Sequence, residues 1–148
     1  MSRPVVIALD LEHTLISTAV SQIPRAGLAQ FLEACRRLAT VVIYTSVRAD
    51  RVQEIVSRLV AEGVAPGWFA DVPVVVASDG MKDLKQVSVE APELVVLVDD
   101  VPWILPEAQR GQLVAIAPFE PPYETDEELA RIATVLGAWI QGRPGSGK

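Results

Sequence analysis

Two carboxylates one residue apart, Asp10 and Glu12, follow directly on the apolar run Val5-Val6-Ile7-Ala8-Leu9. A second acidic pair, Asp99-Asp100, closes the run Leu94-Val95-Val96-Leu97-Val98, and the hydroxyl pair Thr45-Ser46 closes Val41-Val42-Ile43-Tyr44. Lys82 stands in the polar stretch 78–89 ahead of the second acidic pair. Acids brought from two segments into one crevice repel by several kcal/mol at low effective dielectric unless a cation lies between them. Hard oxygen donors suit Mg²⁺, which takes few protein carboxylates and fills its shell with water and substrate phosphate. A hydroxyl and an ammonium are what the equatorial oxygens of a phosphoryl group require. In such surroundings Asp10 is able to attack phosphorus, with Glu12 protonating the leaving oxygen and then deprotonating water. Alone, Asp10 and Glu12 read equally well as the start of a solvated loop. The matching groups at the later runs favour the chemical reading.

These groups meet only if the runs are neighbouring parallel strands, which share one carboxyl edge where open α/β sheets hold ligands. The run 5–9, rich in β-branched residues, reads as a strand buried on both faces. Leu28, Phe31, Leu32, Cys35 and Leu38 recur at three and four residues and predict a helix over 26–38, with Arg36 and Arg37 near its C-terminal end. A second helix is predicted from residue 49 or 50, stopped by Gly63. Further strands are expected at 73–77, led by an edge-compatible proline, at 94–98 and at 113–116, and a closing helix over 126–139. Strands alternating with helices predict a single doubly wound, Rossmann-like α/β domain with a five-stranded parallel sheet. It is expected to span residues 1–141, with 142–148 as a disordered tail.

Composition agrees with a folded domain. The 148 residues suit one domain with a sizeable core, and half of them are hydrophobic. A net charge of −6 argues against broad binding of nucleic acid or anionic membrane, though not against a small anion site. A single cysteine, Cys35, cannot form an internal disulfide, and its place in a predicted helix suggests a buried thiol. No apolar run approaches membrane-spanning length and no signal-peptide core precedes the first strand, so a cytoplasmic location is expected.

Asp10-Leu11-Glu12-His13-Thr14-Leu15 resembles the first motif, Asp-x-Asp-x-Thr-Leu, of the haloacid dehalogenase superfamily of phosphatases. The run 41–46 is similar to its second motif, and Lys82-Asp83-Leu84 and Val98-Asp99-Asp100 are similar to its third and fourth. The closer likeness is to the NLI-interacting-factor and CTD-phosphatase branch, with Pro24-Arg25-Ala26-Gly27 matching an arginine-proline-glycine-like helix start. The resemblance implies a nucleophile at Asp10, an acid/base at Glu12, and phosphate contacts from Thr45, Ser46 and Lys82. It also implies Mg²⁺ held by Asp10, the backbone carbonyl of Glu12 and Asp100, with Asp99 a second ligand or the partner of Lys82. Neither 14–45 nor 46–78 leaves room for a cap domain. Capless members leave the site open to large substrates, so the expected partner is a phosphoprotein, a nucleic-acid end or a small phosphate ester.

One position departs from the pattern: Glu12 stands where the family has Asp. The longer side chain moves the proton-transfer group by more than an ångström, and misplacement on that scale costs about 10²-fold. Glu12 therefore marks either a differently placed leaving group or a weak or inactive module that binds a phosphorylated or acidic partner. His13, the only histidine, occupies a variable position of the motif and is assigned no catalytic role. Lys82 is preferred over Lys85 by its spacing to the acidic strand, and Trp68, Phe69 and Trp103 are read as core or rim packing. The tail 142–148 has P-loop-like spacing but follows a helix, which that motif does not. A receiver-type domain would carry its phosphoacceptor after the third strand, at Asp79, and would not need acids after the fourth.

Overall fold

The computed structural model describes residues 4–78 and 80–142. Its five strands are β1 (Val6–Leu9), β2 (Thr40–Thr45), β3 (Val74–Val76), β4 (Val95–Asp99) and β5 (Leu113–Ala115). All pair in parallel, in the order β3-β2-β1-β4-β5. The strand that delivers Asp10 is therefore central, flanked by the strands that deliver Thr45 and Asp99. Leu9 pairs with Ile43 on one side and Val98 on the other, which sets Asp10 level with Tyr44 and Asp99. β3 lies at the edge, as its leading proline requires, and the Pro73 carbonyl still accepts from Ile43 N–H at 2.9 Å.

Period-two alternation splits the strand residues between two cores. Ile7, Leu9, Val41, Ile43, Val96 and Val98 face the three α-helices, α1 (Leu28–Leu38), α2 (Ala49–Ala61) and α3 (Glu128–Gln141). Each helix buries an apolar stripe there, with Phe31 and Leu32, Ile55 and Leu59, and Ile132 and Leu136 at its centre. Full burial of one such side chain is worth about 1.5–3 kcal/mol. On the opposite face Ala8, Val42, Tyr44 and Leu97 lie under Leu84 and Leu105. Those two come from connections wound only into short 3₁₀ turns, Leu84–Gln86 and Glu107–Gln112 beside them, so the helices crowd one side of the sheet.

Two helix starts differ from expectation for a local reason. α1 begins at Leu28, because Gly27 takes φ 81 in the left-handed region, a conformation glycine adopts without steric cost. α3 begins at Glu128, because Asp126 is turned away to pair with Arg25. Phe69 is buried in the core, Trp68 packs beneath Arg36 (4.6 Å to the ring centroid), and Trp103 is exposed. Among the described residues no separate cap covers the strand ends, and no helix is long and apolar enough to cross a membrane. The tail residues 143–148 and Asp79 lie outside the described residues.

Candidate active site

The chain leaves β1 and turns back at once. The Leu11 carbonyl accepts from the N–H groups of Leu15 (2.9 Å) and Ile16 (3.2 Å), winding a tight loop that returns Thr14 to Asp10. The Thr14 hydroxyl donates to one Asp10 oxygen at 2.8 Å and reaches an Asp100 oxygen at 3.5 Å. The other Asp10 oxygen accepts from Lys82 Nζ at 2.9 Å, and the same ammonium donates to Asp99 at 2.5 Å. Asp10, Lys82 and Asp99 are all buried, although they come from separate segments of the sheet.

Lys82 has a seat of its own. Its N–H donates to Ile104 O at 2.9 Å, and its ammonium lies 5.4 Å from the centroid of the Tyr44 ring. The Tyr44 hydroxyl accepts from Asp83 N–H at 2.8 Å and also bonds Gln86, fixing the segment that carries the lysine. Gln109 braces the same segment, accepting from Leu84 N–H at 2.9 Å and donating to Asp83 at 3.0 Å.

One cation faces three acids. A carboxylate oxygen from each of Asp10, Asp99 and Asp100 lies within 4.8 Å of the others. At an effective dielectric near 20, two charges at that spacing repel by about 3–4 kcal/mol. Burial pushes the Asp10 carboxyl up to about 6, against the pull of Lys82. Burial, then the charge of Asp10, raises Asp99 as well. Lys82 is raised too, though for a different reason: burial alone would lower it, but the two carboxylates together hold it above its usual value. Ammonium and carboxylates thus stabilise each other, and an excess of negative charge remains.

That excess, in hard oxygen donors, fits a divalent cation such as Mg²⁺. The three acids are not equivalent towards it. One Asp99 oxygen is taken by Lys82 and the other accepts from Val101 N–H at 3.0 Å. Asp100 meets the long contact from Thr14 and the Asp10 carboxyl, with no cation paired to it among the described residues.

A cavity of about 190 Å³ opens over this cluster, lined by Asp10, Glu12, His13, Ser46, Lys82 and Asp100 among others. Glu12 is half-buried, and its carboxylate accepts from Ala19 N–H at 2.7 Å. Ser46 reaches the cavity wall, whereas Thr45 is buried with its hydroxyl accepting from Val47 N–H at 3.1 Å. Lys85 is exposed and does not line the cavity. A larger hollow, about 680 Å³, lies at the opposite edge among Arg36, Arg37 and Trp68, and none of these acids reaches it.

Sequence reasoning passed over three supports. Thr14 lies inside the first motif, so its proximity to Asp10 was available from the spacing. Tyr44 had no signal beyond its place at a strand end. Arg25 is fully buried, chelates Asp126 through Nε and Nη2 (both 2.8 Å), and donates to the backbone oxygens of Thr14 (3.1 Å) and Ala117 (2.6 Å). Its partner is a hundred residues away, and no local pattern announces such a pair.

Two solved structures are similar over nearly the whole chain. One is fission yeast RNA polymerase II CTD phosphatase Fcp1, an alanine variant bound to beryllium fluoride, with TM-score 0.58 and 16% identity over 93% of this chain and 50% of that one. The other is Fcp1, described as an essential RNA polymerase II CTD phosphatase, with TM-score 0.58 and 17% identity over 95% of this chain and 55% of that one. The chain spans about half the length of these structures, and at such identity the likeness is one of fold. No curated protein matches the sequence. The family model described as NLI interacting factor-like phosphatase matches residues 5–143. With its all-parallel sheet and the acids gathered at one edge, the chain belongs to the family of NLI interacting factor-like phosphatases.

Proposed function

We propose that this chain hydrolyses phosphate monoesters through an aspartyl-phosphate formed on Asp10, and that it depends on Mg²⁺. The observation that carries the proposal is the meeting of Asp10, Asp99 and Asp100 at one point, with the Lys82 ammonium bridging Asp10 and Asp99. Asp10 and Asp100, with the Glu12 backbone carbonyl, would hold the cation, while Asp99 serves chiefly to fix Lys82. Bound there, Mg²⁺ supplies charge neutralisation between the acids and the incoming phosphoryl group.

The chain's own residues do the rest. Lys82 and Ser46, with the Thr45 segment behind it, receive the equatorial phosphoryl oxygens. The Asp10 oxygen forms a bond to phosphorus as the bond to the ester oxygen breaks, and Glu12 gives that oxygen its proton. Water then attacks phosphorus, Glu12 takes its proton, and the Asp10 carboxylate is released with inorganic phosphate. The open cavity suits a phosphate on a large molecule. The fold neighbours, described as acting on the CTD of RNA polymerase II, make a phosphoprotein the preferred substrate class.

A second reading rests on Glu12, whose carboxylate is engaged by Ala19 N–H. If that hydrogen bond persists with substrate, the chain binds a phosphorylated partner without turnover. Hydrolysis of p-nitrophenyl phosphate with and without Mg²⁺ separates the two. Mg²⁺-dependent turnover lost in Asp10→Asn supports the hydrolase, and an equally active Asp10→Asn refutes it. An inert parent in which Glu12→Asp gains activity supports the binding module.

A further inference from the structure

His13 carries a backbone conformation that is uncommon outside glycine. Its φ is 63, in the left-handed region that Asn, Asp and His enter more often than other side chains and that glycine adopts freely. The fold imposes this conformation from several sides. His13 N–H donates to Ile16 O (2.7 Å) and Ser17 O (3.0 Å), and its carbonyl accepts from Phe119 N–H (2.8 Å) and Arg25 (3.4 Å). Glycine would serve that loop at no steric cost, so the turn itself does not require the imidazole. It does not brace the protein by hydrogen bonding either: Nδ1 is buried with no partner among the described residues. His13 lines the cavity beside Asp10, Lys82 and Asp100. An unpaired buried polar group at such a site calls for an explanation, and a ligand contact is one.

An imidazole carries at least one N–H donor, and at His13 the described residues leave a ring nitrogen without a partner. We infer that His13 is a substrate-contacting residue of this site, its imidazole donating a hydrogen bond to an oxygen of the bound phosphate ester. No bond forms or breaks at His13, and proton transfer stays with Glu12. The inference rests on the cavity taking a phosphate ester, as proposed above.

The experiment compares His13, His13→Gly and His13→Asn, each in the parent chain and in an Asp10→Asn background where turnover is blocked. Affinity for p-nitrophenyl phosphate in Mg²⁺ is measured by calorimetry in the blocked chains, and kcat/KM in the active ones. His13→Gly is expected to melt at or above its parent's temperature, since the positive φ suits glycine. Its affinity and kcat/KM are expected to fall about 10-fold or more, as for loss of one hydrogen bond to a charged group. Asn, which tolerates the left-handed backbone and keeps an N–H donor, should recover part of that loss. Unchanged affinity and kcat/KM in His13→Gly would overturn the contact and leave the phosphatase proposal intact. Ligand binding that depends on His13, with no turnover by the parent, would uphold the contact and defeat the hydrolase. A parent that neither binds nor turns over the ester overturns both.

Discussion

Replacing Lys82 with methionine removes the ammonium that bridges Asp10 and Asp99 while keeping most of the side-chain volume. Lys82 is 4% exposed and lies 2.9 Å from Asp10 and 2.5 Å from Asp99, so its loss leaves two buried carboxylates uncompensated. Breaking a buried pair from one side costs about 3–5 kcal/mol. At about 2–4 °C per kcal/mol for a domain of this size, the melting temperature should fall by roughly 6–20 °C in neutral, metal-free buffer. The pH dependence has a definite sign. Burial already holds the folded Asp10 at about 6, above its ordinary value of 3.8, so the folded state binds more protons than the unfolded one between those values. Stability from this group therefore falls as pH rises through that window. Losing Lys82 removes influences that lower Asp10, so the variant's deficit should be smaller at pH 5 than at pH 8. Thermal melts followed by circular dichroism, in chelator at both pH values, measure it. Adding Asp99→Asn should restore part of the loss, because the two sites share one interaction. A Lys82→Met variant melting within about 2 °C of the parent at pH 8 would refute the charge balance drawn for this site.

Asp126→Ala strands the fully buried Arg25 guanidinium and should cost about 3–5 kcal/mol in chemical denaturation, far more than Arg131→Ala on the surface. Glu128 is held down to about 2, chiefly by its hydrogen bonds from Arg131, so its stabilisation is full above 4.5 and lost as pH falls through 2. Glu128→Gln should accordingly lower the melting temperature at pH 7 and do so much less near pH 2. Burial pushes the Cys35 thiol up to about 12, so a thiol reagent should label it only on unfolding, with labelling tracking the denaturation curve.

The sheet was legible because its signal is local. Runs of β-branched residues ending in Asp10, Thr45 and Asp99 identify strands and their chemical edge without any knowledge of what they touch. Helix boundaries were less legible. Residues 26–27 and 126–127 carry helix-compatible patterns, yet Gly27 takes a left-handed cap and Asp126 is claimed by Arg25 from across the fold. The site divides in the same way. Asp10, Glu12, Lys82, Asp99 and Asp100 were named from order and spacing, and all five line the same cavity. The supporting roles of Tyr44 and Arg25 were not, since such a role depends on neighbours that the chain brings in from far away.

Residue types and their order along the chain determined that acids, a hydroxyl and a lysine would share one edge of a parallel sheet. Only the tertiary structure decided how they divide the work. It gave both oxygens of Asp99 to Lys82 and Val101, left Asp100 with no paired cation among the described residues, and turned Glu12 to Ala19. The physical reason is that strand pattern depends on each residue's own preference, whereas the state of a buried charge depends on every dipole and ion within a few ångströms. Those neighbours are fixed by packing and not by sequence distance.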